Sequence, residues 1–258
     1  MYNPIPRNVA RSLRDAGLTL PKESQAALDA LTALAAARDA DPAAEAVAAA
    51  GSITARNAAA RLSELATALT VKDHAATAFT TLEQPLARRF FDGLRDAGDD
   101  LITAMRPRFD TAAAVVHTAG RYFPPGASKS AVLDAGDQAV TAYRDLDAAL
   151  DTLARIRNAR VILGDLSGQP EQHVSWFIAK AADAAALDNA ARLFTAPGNA
   201  FHNLAHGGYT LRLNTRAEAA QVARGAHDAT TAREVAEAEA RGKELRESMP
   251  WLIEKAPA

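Results

Sequence analysis

Apolar residues recur every three or four positions along most of this chain, which is the period of one face of an α-helix. The longest run lies between Ser128 and Leu163. There Leu133, Val140, Tyr143, Leu146, Leu150, Leu153 and Ile156 fall in step with no proline between them, and Gly136 is the one internal glycine. Ser128 offers a hydroxyl to cap the first free N–H groups, and Gly164 offers a stop. A continuous helix of that length would span roughly 50 Å. The pattern therefore predicts a long spine helix over about 128–163.

Shorter periodic segments surround it. Val9–Ala16 is ended by Gly17, and Pro21 opens a helix carrying Leu28, Leu31 and Leu34. Asp41-Pro42 starts an alanine-rich piece that ends at Gly51. Ser52 begins another, with Ile53, Leu62, Leu65 and Leu69. The pattern continues from Asp73 through Phe79, Leu82, Leu86, Phe90 and Leu94, with a kink or break expected at Pro85. Asp99 opens a helix with Leu101, Met105, Phe109, Ala112 and Val116 in register, and Pro107 as a second expected kink. Pro170 opens a helix carrying Val174, Phe177, Ile178, Ala181, Ala185 and Phe194. Thr215-x-x-Glu218 is a capping box for a final, highly charged helix. The sharpest interruption is Arg121–Ala127, with two prolines, a glycine and two aromatics. It sets an expected boundary between an N-terminal helical subdomain, 1–121, and a C-terminal one, 128–258.

One stretch departs from the helical period. Tyr209, Leu211 and Leu213 alternate with Thr210, Arg212 and Asn214, the spacing of a half-buried strand. A lone strand leaves backbone groups unpaired. It must pair with a short segment near Leu18–Leu20 or Val161–Leu163, add to another subunit, or serve as an extended connector. The expected class is all-α, a multi-helix bundle with at most one short strand near 209–214.

Composition reinforces this reading. Of 258 residues, 64 are alanine, and 23 of the 29 basic residues are arginine, both strong helix formers. Aromatics are 5%, so the core is expected to rest on Leu, Val, Ile and close alanine contacts. The net charge of −2 supplies no basic field for nucleic acid or an anionic membrane. With no cysteine, disulfides, thiolate catalysis and Cys-ligated zinc are excluded. No apolar run has the length of a membrane span, and the N-terminus lacks a signal-peptide core. A protein that is cytoplasmic when made, or part of a virion, is expected.

Few residues invite chemistry. His202 and His206 lie four apart and would share a helix face, where both imidazoles could bind one metal ion. The general-base glutamate that zinc peptidases carry beside the first histidine is Asn203 here. His173, His227 and Asp228 are the conceivable third ligands. Gly120–Ser130 contains Lys129-Ser130 but also two prolines without N–H groups, and it lacks the glycine spacing of a phosphate loop. Val161–Gly168 resembles the opening block of GDSL-type esterases, with Leu166-Ser167 reversed and too little chain following for that fold. Arg155, Arg157 and Arg160 read as cations complementing a negative helix end.

No cofactor is implied. The functional expectation is a non-enzymatic structural or assembly protein, packing against copies of itself or other protein subunits, with a phage-type virion component as the setting. Tyr209, Leu211, Leu213 and the apolar tail Trp251, Leu252 and Ile253 are its expected interface residues. The alternatives are a metal-assisted hydrolase centred on His202 and His206, and a cytoplasmic protein-binding module.

Overall fold

The computed structural model describes residues 5–39, 54, 56–168 and 173–248. Trp251, Leu252 and Ile253 lie outside the described residues, as does the alanine-rich piece before Gly51. Within them the protein is an all-α multi-helix bundle. The helices are α1 (Pro6–Asp15), α2 (Lys22–Asp39), α3 (Ala58–Asp96), α4 (Gly98–Tyr122), α5 (Lys129–Asp134) and α6 (Asp137–Leu166). A 3-10 turn (Val174–Trp176) follows, then α7 (Ala184–Thr195), α8 (Ala200–His206) and α9 (Arg216–Ser248).

The chain forms two compact units. One comprises Met1–Gly98 with Ile162–Gln169, the other Asp99–Val161 with Pro170–Ala258. The Arg121–Ala127 loop lies inside the second unit, where Phe123 is buried.

In the first unit, Val9 and Leu13 of α1, Leu28 and Leu31 of α2, and Phe90 and Leu94 of α3 form the core. Helix α2 lies along α3. Near one end Ser24 Oγ donates to the Phe90 carbonyl at 3.0 Å, and near the other the Arg38 guanidinium stacks 4.4 Å from the Phe79 ring. These contacts fall on either side of Pro85. A proline inside a helix removes one hydrogen bond, but packing on both sides holds α3 unbroken through it.

In the second unit, α4 buries Leu101, Ile102, Met105, Phe109, Ala112, Ala113 and Val116, the face that periodicity marks. Pro107 does not end that helix. Helix α6 buries Ala139, Ala142, Leu146, Ala149, Leu153 and Ile156. The middle of the unit is aromatic. The Phe177 ring lies 5.4 Å from Phe201, 5.5 Å from Phe194 and 6.4 Å from Phe109. The expected core of Leu, Val, Ile and close alanine contacts is joined here by aromatics: four of eight phenylalanines converge on one point.

The spine helix differs from its sequence reading. It breaks at Ala135–Gly136 into α5 and α6, and α6 then runs through Gly164 to Leu166. Ser128 caps α5, accepting from the Ala131 amide at 3.2 Å. Gly136 has φ +93°, a left-handed conformation that ends α5, and its carbonyl accepts from Ala139 and Val140 to start α6. Leu133 is exposed, so the apolar stripe gains nothing by carrying one helix across the break.

Gly136→Ala decides between the two forms by sign. At positive φ the added Cβ costs about 1–2 kcal/mol. Within a continuous helix the same substitution would add about 1 kcal/mol of stability. Urea unfolding is expected to show the loss.

Candidate functional site

The paired histidines sit on α8, a helix opened by Asn199, whose side chain accepts from the Phe201 amide at 3.0 Å and the His202 amide at 3.4 Å. Both imidazoles face the C-terminal end of α4. His202 Nε2 lies 3.3 Å from the Phe123 carbonyl, and His206 Nδ1 lies 2.9 Å from the Gly120 carbonyl. The last carbonyls of a helix lack intrahelical partners, and here two ring N–H groups supply them. The approach is close: a Cβ on Gly120 would stand 3.0 Å from the His206 backbone nitrogen. His202 is buried, with its ring edge-on to Phe123 at 5.6 Å. Burial holds it below the ordinary imidazole value, the Phe123 bond opposes this, and His206 adds to it.

The sequence-derived third ligands fall elsewhere. His173 Nδ1 pairs with Ser175 Oγ at 2.9 Å, while His227 and Asp228 are exposed on α9. Among the described residues no group of three or more His, Cys, Asp or Glu is placed to hold a metal ion.

The strand-like segment has its mate within the chain. Leu211 forms an antiparallel bridge with Ile178, flanked by bonds from Ala179 N to Thr210 O and from Arg212 N to Phe177 O, each 2.9 Å. Asn214 N adds a bond to Trp176 O at 2.9 Å. That mate lies in a stretch where periodicity predicts helix. Instead, a 3-10 turn precedes the bridge, and α7 starts only after Asp183, whose carboxylate accepts from the Ala186 amide at 2.8 Å. Leu211 and Leu213 are buried, and the Tyr209 hydroxyl donates to the Ala186 carbonyl at 2.7 Å.

Alternate backbone groups of a strand point to opposite sides, and here helix side chains occupy the second side. The Leu211 amide donates to His117 Nε2 at 3.0 Å, and Arg106 Nε donates to the Leu213 carbonyl at 3.0 Å. Both side chains come from α4, which thus stands in for a neighbouring strand. Arg160 Nε of α6 donates to the Asn214 carbonyl at 3.3 Å. Asn214 Nδ2 donates to the Ser175 and Ile178 carbonyls at 2.7 and 2.8 Å. The capping box closes the segment: Thr215 N donates to Glu218 Oε2 at 2.8 Å, and that carboxylate also pairs with Arg106 and Arg212.

Arg160 is only 2% exposed, although it lies within two turns of the end of α6. Its guanidinium lies 4.1 Å over the Trp176 ring, and one terminal nitrogen, Nη2, has no hydrogen-bond partner. Burial pushes its pKa down to about 10, with Asp99 opposing and Arg216 assisting. Beside this network lies a cleft of about 430 Å³ lined by Lys180, Arg212, Asn214, Glu218, Gln221 and Gly225. Its lining contains no histidine, serine or cysteine.

No family model, curated protein or solved structure matches this chain. Sequence reasoning missed His117, Arg106 and Asn214. His117 and Arg106 lie 11 residues apart, three turns of α4 on one face, which is the one local signal they carry. Their targets lie 94 and 107 residues away.

Two outcomes follow from this geometry. Arg160→Met keeps most of the packing on Trp176 and removes an unpartnered buried donor, but it leaves the Asn214 carbonyl without its Nε partner, so stability is expected to fall by about 1–3 kcal/mol. Arg160→Ala leaves a cavity and is expected to cost about 3–4 kcal/mol by urea unfolding. For pH, His202 is neutral in the fold below the value at which the unfolded chain takes up a proton. Its contribution is complete above pH 6.5 and declines as pH falls toward the lower folded value. Melting temperature is expected to hold from pH 8 to 7 and drop from 6.5 to 5. His202→Gln removes this group's share of the drop.

Proposed function

We propose that this chain is a non-enzymatic helical protein that works by packing against other polypeptide subunits, copies of itself first. The observation that carries this reading is α9. It buries Ala219 and Ala226, then continues as helix from 231 to 245 with every residue but Gly242 exposed. An isolated helical segment of this length is marginal in water, because most helix stability in proteins comes from packing of one face. Along it Arg233 pairs with Asp183 at 2.6 Å and approaches Glu237 at 3.8 Å.

Helix α3 adds to the argument, with Leu62 70% exposed and Leu69 and Leu82 about half exposed. Docking these surfaces on a further chain would cover apolar area that the monomer leaves in water. Among the described residues no helix is long and apolar enough to cross a membrane. Within this class, a phage-type virion component is the setting proposed for test.

Light scattering on the full chain is expected to give a mass that is a multiple of 27.2 kDa. Val235→Arg and Leu62→Arg, both at exposed positions, are expected to lower that mass while leaving far-ultraviolet circular dichroism unchanged. A strict monomer at about 0.1 mM would overturn self-association.

A further inference from the structure

The bond between the Leu211 amide and His117 Nε2 has a chemical requirement that the other anchors of the segment lack. An amide N–H can donate only to an unprotonated ring nitrogen. The neighbouring bonds, from Ala179 N to Thr210 O and from Arg212 N to Phe177 O, run to the opposite side of the strand. His117 is therefore the acceptor on which the Leu211 amide depends.

His117 is half-buried on α4, away from compensating carboxylates. Burial and then Arg121, one turn along the same helix, both hold its pKa below the ordinary value. Ionisable side chains on adjoining elements are engaged elsewhere. Arg212 pairs with Glu218, Tyr209 donates to the Ala186 carbonyl, and His206 bonds to the Gly120 carbonyl.

We propose that His117 is an acid-sensitive latch: a proton taken up from solvent at Nε2 releases the Leu211 amide and opens one side of the 209–213 segment. Protonated Nε2 becomes a donor, so two N–H groups then face each other and the bond becomes a repulsion. The remaining anchors respond differently. Arg106 and Arg160 donate to the Leu213 and Asn214 carbonyls and keep their charge throughout. His206 meets a carbonyl, so it donates whether neutral or protonated, and a cation there suits the negative end of α4. Acid thus opens the segment at Leu211 while the arginine anchors keep their bonds.

Amide hydrogen exchange on the full chain, followed by NMR at pH 7.5 and pH 5.0 and corrected for intrinsic rates, tests this. Relative to the Ile156 amide of α6, which reports global opening, the protection of Leu211 is expected to fall at least tenfold at pH 5.0. Its midpoint is expected to coincide with the titration of the His117 ring. His117→Gln places a non-titrating acceptor near Nε2 and is expected to keep Leu211 protected at both pH values. His117→Ala is expected to lose protection at both. Protection changing less than threefold in the wild type, an equal acid loss in the glutamine variant, or a midpoint separate from the His117 titration would each overturn the proposal. The wild-type measurements decide the matter if neither variant folds.

Discussion

The second unit depends on satisfying the backbone of residues 209–215, a non-helical segment in a helical protein. A buried backbone group without a partner costs about as much as a lost hydrogen bond, roughly 1–3 kcal/mol. A sheet would supply those partners from two flanking strands. Here residues 176–179 supply one side, His117 and Arg106 supply the other, and Arg160 serves the Asn214 carbonyl at the end of the segment. The segment in turn leads α8 into α9 and holds Leu211 and Leu213 in the interior. Placing long polar side chains there is what lets one extended stretch persist without a sheet.

That arrangement brings a buried charge with it. Arg160 is stacked on Trp176 and bonded to the Asn214 carbonyl, yet retains an unpartnered nitrogen. Stacking on an aromatic face and bonding to a carbonyl both suit a weakly hydrated, planar cation better than they would suit lysine. The aromatic cluster around Phe177 lies next to this network, because Trp176 and Phe177 are consecutive residues of the same strand-like mate. Apolar core and polar network are thus built from adjacent positions.

How much of this could be seen in the residues varied with the range of the interaction. Helical faces on α4 and α6 were legible, since Leu101, Met105, Phe109 and Val116, or Leu146, Leu153 and Ile156, repeat within a few turns. The capping box was legible for the same reason, its two partners being three residues apart. Gly136 was visible but its φ was not: a glycine within a periodic run suits both a helix and a break, and exposure of Leu133 selected the break. The mate of the 209–214 segment was hidden because Val174, Phe177 and Ile178 also fit a helical period. The roles of His117 and Arg106 could not be read locally at all, since their partners are fixed only by the folded chain.

The alanines on α4 and α6 give this interior an asymmetric tolerance to change. Ala112, Ala113, Ala119, Ala139, Ala142, Ala149 and Ala159 are all buried, each filling its place with a single methyl group. Such positions lose no rotamer freedom on folding and have little left to delete. Growth is another matter, because a well-packed interior accepts extra methylenes only by displacing its neighbours. Enlargement along these helices must therefore come in compensated pairs.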